Sequence, residues 1–222
     1  DRGNRIEQAY FGKDGQPVRS TSGIAKWTAK CDARGNELEM ACFDIDGLPM
    51  LHQNGFSKRT AKFDHRGKAI ERSYFTTNGE PVLIKDGYAK VMTKYDECGN
   101  EIEHAYFGLA NEPVLNANGY AKETMKYDLR GHPIEVATFG VRNEAVMTSS
   151  GFAKAVMLYD DSGNRTETAY FGVAGEPVGV AGGIARHGTQ YGARGNRVAL
   201  SFFGTNGLLV LIPDGYARVK YK

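Results

Sequence analysis

The 222-residue sequence is 41% hydrophobic and 24% charged, a composition typical of folded proteins and not of disordered chains. Its 28 Lys and Arg against 26 Asp and Glu leave a formal charge of +2, too small to indicate nucleic acid or an anionic membrane as a partner. No stretch approaches the roughly 18 uninterrupted apolar residues of a membrane-spanning helix. We therefore expect no membrane span. Because the chain starts without Met and inside a motif, we expect Asp1 to be a processing site or an excision point.

One unit of 32 residues recurs seven times without an insertion. A turn glycine marks it at Gly3, Gly35, Gly67, Gly99, Gly131, Gly163 and Gly195. A phenylalanine keeps the same spacing at Phe11, Phe43, Phe75, Phe107, Phe139, Phe171 and Phe203. We interpret residues 1–222 as a single tandem-repeat domain with copies 1–31, 32–63, 64–95, 96–127, 128–159, 160–191 and 192–222.

Residues 96–127 illustrate the local structure that the pattern predicts. The copy divides at its turn residues into three extended segments, IEHAYF, EPVLN and YAKETMKY. The opening Asp-x-x-Gly-Asn favours a tight turn, and Pro113 places the middle segment at a strand start or a sheet edge. Alternation assigns Glu103, Ala105 and Phe107 to one face, opposite Ile102, His104 and Tyr106. It also assigns Tyr120, Lys122, Thr124 and Lys126 to one face, opposite Ala121, Glu123, Met125 and Tyr127.

These segments predict an all-β protein of seven tandem antiparallel β-hairpin repeats. We expect them to form an open twisted strip or a solenoid, because one 32-residue unit buries too little apolar surface to fold alone and needs its neighbours. The alternative is a closed seven-bladed, propeller-like ring, which matches the number of units but not the four strands of a usual blade.

The repeat resembles three families of repeats. Tyr-Asp-x-x-Gly-Asn at Tyr95 to Asn100 resembles the YD repeats of Rhs-type proteins, in which tandem hairpins build a β-sheet strip that curls into a shell around a toxin. Gly119 to Asp128 is similar to WG-type repeats, and Gly-aromatic-x-Lys is similar to choline- or glucan-binding wall repeats. The YD resemblance implies an antiparallel strip.

Nothing in the sequence predicts catalysis, a metal or a cofactor. The five histidines fall in five different columns of the repeat, and the three cysteines fall in three, so neither set forms a repeated site or a disulfide framework. Asp44-x-Asp46-Gly47 has the look of a calcium loop, but it occurs once and lacks the distal Glu, so a hairpin turn is favoured.

Two charged columns are the candidate functional features. The cations are Lys26, Lys58, Lys90, Lys122, Lys154, Arg186 and Arg218, and the acids are Glu7, Glu39, Glu71, Glu103, Glu135 and Glu167. In the first interpretation the two columns pair across neighbouring strands and fix the register. In the second, the cations and the adjacent aromatic column, including Tyr88, Tyr120 and Tyr216, form a strip that binds a polymer.

We expect a non-catalytic structural scaffold or protein-recognition segment of a larger bacterial surface or secreted protein. The alternative is a polysaccharide- or cell-wall-binding module that uses the cationic and aromatic strip. The expected partners are a protein, a surface polysaccharide or further repeats of the same chain. Nucleic acid is not expected, since the acidic column would oppose it. The compartment stays open, with the cell surface or the extracellular space favoured.

Overall fold

The structure, a computed structural model, describes residues 3–222. Asp1, on which the excision hypothesis rests, lies outside the described residues. No helix within residues 3–222 is long and apolar enough to cross a lipid bilayer. The described chain consists of strands, turns and one 3-10 turn of three residues at Ala181–Gly183.

The strands are short and follow the repeat. They are β1 (Glu7–Ala9), β2 (Lys26–Cys31), β3 (Glu37–Phe43), β4 (Lys58–Phe63), β5 (Ala69–Phe75), β6 (Lys90–Tyr95), β7 (Glu101–Phe107), β8 (Lys122–Tyr127), β9 (Pro133–Phe139), β10 (Lys154–Tyr159), β11 (Arg165–Phe171), β12 (Arg186–Tyr191), β13 (Arg197–Phe203) and β14 (Arg218–Lys220). The order in the sheet follows the chain from β1 to β14 and does not return to its start. The prediction of an all-β, open strip of antiparallel hairpins is therefore confirmed, and the seven-bladed ring is wrong.

The contacts group the chain into two compact units. The first contains the described residues up to Tyr95 together with His104–Ala117, and the second contains Asp96–Glu103 and Asn118–Lys222. The sequence predicted one tandem domain with no such division. Each unit is built from the same repeated hairpins.

Two kinds of strand pairing alternate within each unit. In the second unit β10 and β11 share six residue pairs, from Lys154 opposite Phe171 to Tyr159 opposite Arg165. By contrast, β9 and β10 share three pairs, starting with Lys154 opposite Ala137. The first unit repeats this alternation, with six pairs between β2 and β3 and three between β3 and β4. The six-pair ladder is the hairpin of the repeat.

The Asp-x-x-Gly-Asn motif closes the hairpin between β10 and β11 as the sequence predicts. Oδ1 of Asp160 accepts hydrogen bonds from the N–H groups of Ser162 and Asn164 at 3.0 and 2.8 Å. Gly163 has φ of 81°, a conformation that glycine adopts without the strain a side chain would bring. The Asn164 side chain donates to Asp160 Oδ2 at 3.0 Å and, together with these backbone N–H groups, lowers the pKa of that carboxyl.

The middle segment of the repeat does not form the expected third strand. In the first unit it makes one isolated bridge between Phe107 and Pro113 and one backbone hydrogen bond from Val114 N–H to the Tyr106 carbonyl at 3.1 Å. The same single bridge joins Phe139 to Ala145, which has an N–H, so the short contact does not depend on the proline. The segment therefore folds back beside the end of β7 and adds no strand.

The main cluster of buried apolar side chains lies on one face of the sheet. In the first unit the cluster contains Ile24, Cys42, Phe56, Tyr74 and Ile84. Tyr74 belongs to β5, and the Phe56 ring from a connecting segment packs on it with centroids 5.2 Å apart. Because successive side chains of a strand point to opposite faces, Phe75 lies on the other face. We call the two sides the core face and the open face.

Candidate interaction surface

A cation lies over an aromatic ring repeatedly on the open face. In the second unit Lys122 Nζ is 4.6 Å from the centroid of the Phe139 ring, and in the first unit Lys90 Nζ is 4.8 Å from that of Phe107. We call this set the cation–phenylalanine row. Its pairs are Lys26–Phe43, Lys58–Phe75, Lys90–Phe107, Lys122–Phe139, Lys154–Phe171 and Arg186–Phe203.

The register of the hairpin produces this contact. Lys122 begins β8 and Phe139 ends β9, and the two residues stand directly opposite each other in the six-pair ladder. Residues directly opposite in an antiparallel pair point to the same face, with Cβ atoms about 5 Å apart. The long lysine side chain therefore reaches over the ring. A cation over an aromatic face at an exposed site contributes about 0.5 to 1 kcal/mol.

The remaining predicted cation, Arg218, is exposed at the start of β14. Its Nη2 is 3.5 Å from Oε1 of Gln190. Within residues 3–222 no aromatic ring lies under its guanidinium. Arg218 thus carries the charge of the column without the contact that the other six cations make.

The acidic column is neutralised mainly by a different set of lysines from the predicted one. Lys126 Nζ lies 2.7 Å from Glu135 Oε1, because these two residues are directly opposite in the hairpin ladder. The same contact joins Lys30 to Glu39 at 2.8 Å and Lys62 to Glu71 at 2.9 Å. The cation column that the sequence predicted as the partner lies diagonal to the glutamates across the three-pair ladder. Lys154, for example, stands opposite Ala137, whereas Glu135 stands opposite Val156.

The predicted pairing occurs where that lysine is missing. Leu158 of β10 stands opposite Glu167 of β11. With no lysine opposite it, Glu167 pairs with Arg186 of β12, whose Nη1 lies 2.6 Å from Glu167 Oε2. Glu7 lies in β1, which pairs with β2 alone within residues 3–222, and its Oε2 is 3.6 Å from Lys26 Nζ. Within residues 3–222 the other four lysines of the column make no ion pair: Lys58, Lys90, Lys122 and Lys154.

Two of these lysines instead bind an asparagine side chain. Lys90 Nζ donates to Asn111 Oδ1, and Lys122 Nζ donates to Asn143 Oδ1. Both asparagines take the place of a turn glycine, and both have positive φ, 67° and 66°. The hydrogen bond leaves the ammonium charge without a counter-charge.

The structure does not bring the predicted tyrosines to the cations. Tyr88 packs on Tyr74 and Tyr106, with centroids 6.0 and 4.8 Å away, and both partners point to the core face. Tyr120 is buried, and Tyr216 is 6.2 Å from Phe202, which also points to the core face. The expected strip of lysines and tyrosines is corrected to lysines over phenylalanines. The chain bends at Ala89 before β6 begins, so strand alternation does not extend back to Tyr88.

The histidines are engaged in packing and turns. His52 stacks on Phe56 at 5.1 Å, and burial lowers its pKa. His132 stacks on Tyr159 at 4.7 Å, with Nδ1 3.0 Å from Asp128 Oδ2. His187 is partly buried, and burial lowers its pKa, with Arg165 and Arg197 adding to that shift.

The remaining polar candidates are also structural. Asp44 Oδ1 accepts hydrogen bonds from the N–H groups of Asp46 and Leu48, as expected of a hairpin turn. No group of three His, Cys, Asp or Glu in residues 3–222 is arranged to hold a metal ion. Cys42 is fully buried, which raises the pKa of its thiol to about 11, whereas Cys98 is exposed.

A surface depression of about 980 Å³ lies at the turn end of the strands in the second unit. Its apolar lining includes Ile102, Met125, Tyr127 and Ile134. Leu129, at the tip of the adjoining turn, is fully exposed. These residues offer apolar contact area but no nucleophile paired with a base.

Comparisons with known proteins found low-scoring matches among solved structures alone. No family model matches the chain, and no curated protein matches it. Among solved structures, a Photorhabdus luminescens Tc holotoxin pore is 12% identical over 88% of this chain, with a TM-score of 0.37. A TcdB2-TccC3 structure is 12% identical over 88% of this chain, with a TM-score of 0.28. The chain spans 12% and 14% of the length of those two proteins.

Proposed function

We propose that this chain is a non-catalytic repeat scaffold or protein-recognition segment of a larger bacterial surface or secreted protein. The observation that carries the proposal is the cation–phenylalanine row. The same solvent-facing contact recurs in successive hairpins while the core is built on the opposite face. A face that keeps one chemistry from copy to copy, and is not needed to form the core, is suited to binding an extended partner.

The surroundings of the reactive side chains support a role without catalysis. Catalysis needs a nucleophile, a base and an orienting group that come together at one place. Here His52 and His132 stack on aromatic rings, and burial holds the Cys42 thiol protonated. These groups stabilise turns and the core.

A second candidate function is binding of an anionic surface polysaccharide. The specific observation in its favour is that Lys58, Lys90, Lys122 and Lys154 make no ion pair within residues 3–222. Their charges stand in a row on the open face and are complementary to a polymer of carboxylated sugars.

Charge reversal at Lys90 and Lys122 separates the two functions. The matched control is charge reversal at Lys62 and Lys126, which changes the net charge equally but removes hairpin ion pairs. The measurements are the melting temperature and binding to immobilised polygalacturonate, with a neutral glucan as the blank. If the row is structural, the Lys90 and Lys122 variant should melt at a lower temperature than the wild type, and neither the wild type nor that variant should bind polygalacturonate. A polysaccharide site predicts binding by the wild type that is lost in the Lys90 and Lys122 variant at an unchanged melting temperature.

If charge reversal at Lys90 and Lys122 changed neither the melting temperature nor polygalacturonate binding, both functions of the cation–phenylalanine row would be contradicted.

A separate measurement tests the proposal that the chain is a segment of a larger protein. The intact mass of the native polypeptide should exceed that of 222 residues, and a mass equal to 222 residues would contradict the proposal that the chain is a segment.

A further inference from the structure

A cleft of about 140 Å³ opens on the first unit between two consecutive pairs of the cation–phenylalanine row. Phe75, Pro81 and Lys90 line it from one copy of the repeat, and Leu109 and Asn111 line it from the next copy. Phe75 belongs to one pair of the row and Lys90 to the following pair. A ligand in this cleft therefore contacts both pairs.

A second cleft, of about 400 Å³, repeats this lining two copies earlier in the same unit. Phe11, Pro17, Lys26, Ile45 and Gly47 occupy the repeat positions of Phe75, Pro81, Lys90, Leu109 and Asn111. The cleft is thus a product of the repeat. The two clefts differ in charge, because Asp44 and Asp46 line the earlier one, whereas no carboxylate lines the cleft of Lys90.

Two ammonium groups without a counter-charge flank the cleft of Lys90. Lys58 Nζ lies 5.0 Å from the centroid of the Phe75 ring, and Lys90 Nζ donates to the Asn111 side chain. Neither lysine makes an ion pair within residues 3–222. Glu71, the acid of β5, is already paired with Lys62 at 2.9 Å. Carboxylates of a ligand would therefore find two cations that no acid of the described chain neutralises.

The register of β5 sets the distance between these two lysines. Lys58 stands opposite Phe75 on one side of β5, and Lys90 stands opposite Ser73 on the other. Two strand spacings and an offset of two residues separate the Cα atoms of the lysines by about 12 Å. In an extended peptide, residues four apart lie on one face and are about 13 Å apart. Two acids at that spacing can bind Lys58 and Lys90 while the residue midway between them faces the cleft.

The lining of the cleft is suited to one apolar side chain. Phe75, Pro81 and Leu109, which is 53% exposed, offer apolar contacts. The volume is that of about five water molecules, which leaves room for one branched side chain. A helix would turn two side chains toward the cleft, at the third and fourth positions after its first acid. A polymer of carboxylated sugars has the charges but no such side chain.

We propose that the row binds an extended acidic peptide of a partner protein, with the pattern acid, any residue, apolar residue, any residue, acid. The acids bind Lys58 and Lys90, and the apolar side chain fills the cleft between them. Lys122 and Lys154 repeat the arrangement in the second unit, with Val173 at the repeat position of Leu109. The inference rests on the proposed protein-recognition function and deepens it by naming the chemistry of the partner.

Three capped heptapeptides of identical composition test the pattern. The first is Thr-Glu-Thr-Leu-Thr-Glu-Thr, and its affinity for the full chain is measured by fluorescence anisotropy at low salt. The second, Thr-Glu-Leu-Thr-Thr-Glu-Thr, turns the leucine away from the cleft and should bind about tenfold more weakly, because the apolar side chain stays in water. The third, Thr-Glu-Thr-Leu-Glu-Thr-Thr, turns one acid away and should bind about fivefold more weakly, because one exposed ion pair is lost.

A double variant tests whether the lysines of the row cause the preference for acids four apart. Lys58→Met with Lys122→Met leaves no two unpaired lysines in consecutive copies, so the first and third peptides should bind it equally. The matched control is Lys13→Met with Lys85→Met, which removes two exposed lysines from turns that line neither cleft. The control should keep the fivefold preference. Melting curves verify that both variants are folded, and the comparison of the peptides on the wild type does not depend on them.

Four results would overturn the proposal. Equal binding of the three peptides by the wild type would show attraction of charge without a site. A fivefold preference that survives in the Lys58 and Lys122 variant would place the site elsewhere. If no peptide binds, this inference fails, whereas the scaffold function stands if charge reversal at Lys90 and Lys122 lowers the melting temperature. Binding of polygalacturonate alone would favour the second candidate function.

Discussion

Arg186 binds Glu167 because Leu158 stands opposite that glutamate in the hairpin. In the preceding hairpin of the second unit Lys126 takes the corresponding position and binds Glu135. The glutamate thus has two alternative partners, one within its hairpin and one in the next. Its choice is decided by a single residue.

Replacing Lys126 by leucine should transfer the Glu135 carboxylate to Lys154. The unfolding free energy should fall by less than about 0.5 kcal/mol, because one exposed ion pair replaces another. Lys154→Met should then cost more in the Lys126→Leu background than in the wild type, as measured by a double-mutant cycle in urea. An equal cost of Lys154→Met in both backgrounds would show that the carboxylate does not move.

The contact between Lys122 and Phe139 should have a measurable coupling energy. Lys122→Met keeps the length of the side chain and removes its charge, and Phe139→Leu removes the ring face. The cycle of these two changes should give a coupling of about 0.5 to 1 kcal/mol in urea denaturation. Lys126→Met with Phe139→Leu is the control, and its coupling should be near zero because Lys126 bonds to Glu135. Equal couplings for the two lysines would contradict a specific contact.

Asn143 should tolerate glycine and not alanine. Its φ of 66° lies in the left-handed region, where a Cβ costs about 1 to 2 kcal/mol for most residues. Asn143→Ala is therefore expected to lower the unfolding free energy by about 1 kcal/mol and Asn143→Gly to change it by a few tenths. Asn111, with φ of 67°, provides a replicate in the first unit. Urea denaturation of the four variants gives the comparison.

His187 should make the stability pH-dependent. Burial, and then Arg165 and Arg197, hold its pKa below the ordinary value of 6.5, so the folded state favours the neutral ring. The stabilisation is complete above about pH 6.5, the pKa in the unfolded chain, and is lost as the pH falls toward the folded pKa. The unfolding free energy should drop more between pH 7 and pH 5 in the wild type than in His187→Gln. Parallel pH profiles would mean that His187 titrates alike in both states.

Cys42 should resist alkylation until the first unit unfolds. Burial removes the thiol from solvent and raises its pKa to about 11, so little thiolate forms at pH 8. Mass spectrometry after brief treatment with iodoacetamide should find Cys98 modified and Cys42 intact, and both modified in urea. Early labelling of Cys42 in the native protein would show that the core of the first unit opens.

Alternation and turn chemistry were sufficient to predict the hairpins. The Asp-x-x-Gly-Asn turn depends on groups within five residues of each other, so its geometry follows from local sequence. The open order of the strands was preferred for a local reason as well, since a repeat of this length is too short for a four-stranded blade. The prediction of a strand in the middle segment was wrong. A proline is compatible with the start of a strand, and only the path of the chain beside the end of β7 shows that the segment forms a single bridge.

The partners of the charged side chains were not predictable in the same way. Lys122 and Lys126 lie on one face of β8, and the repeat positions of both lysines are near the glutamate column. Which of them meets Glu135 depends on the register of β9, a contact between residues distant in the chain. The tyrosines were misplaced for a similar reason, because Tyr88 lies before the bend at Ala89 and does not follow the alternation of β6.

The uniform register of the hairpins has a consequence for how this molecule changes over generations. The described six-pair ladders share one register, so cutting out one whole 32-residue copy joins two strands that can pair in that same register. Unequal recombination between copies would therefore give offspring proteins with fewer or more units and no mismatched joint. Single-residue insertions are a different case, because one extra residue in a strand turns every later side chain of that strand to the wrong face. The constant spacing of 32 residues across seven copies is expected if whole copies can be gained or lost while single-residue insertions are eliminated.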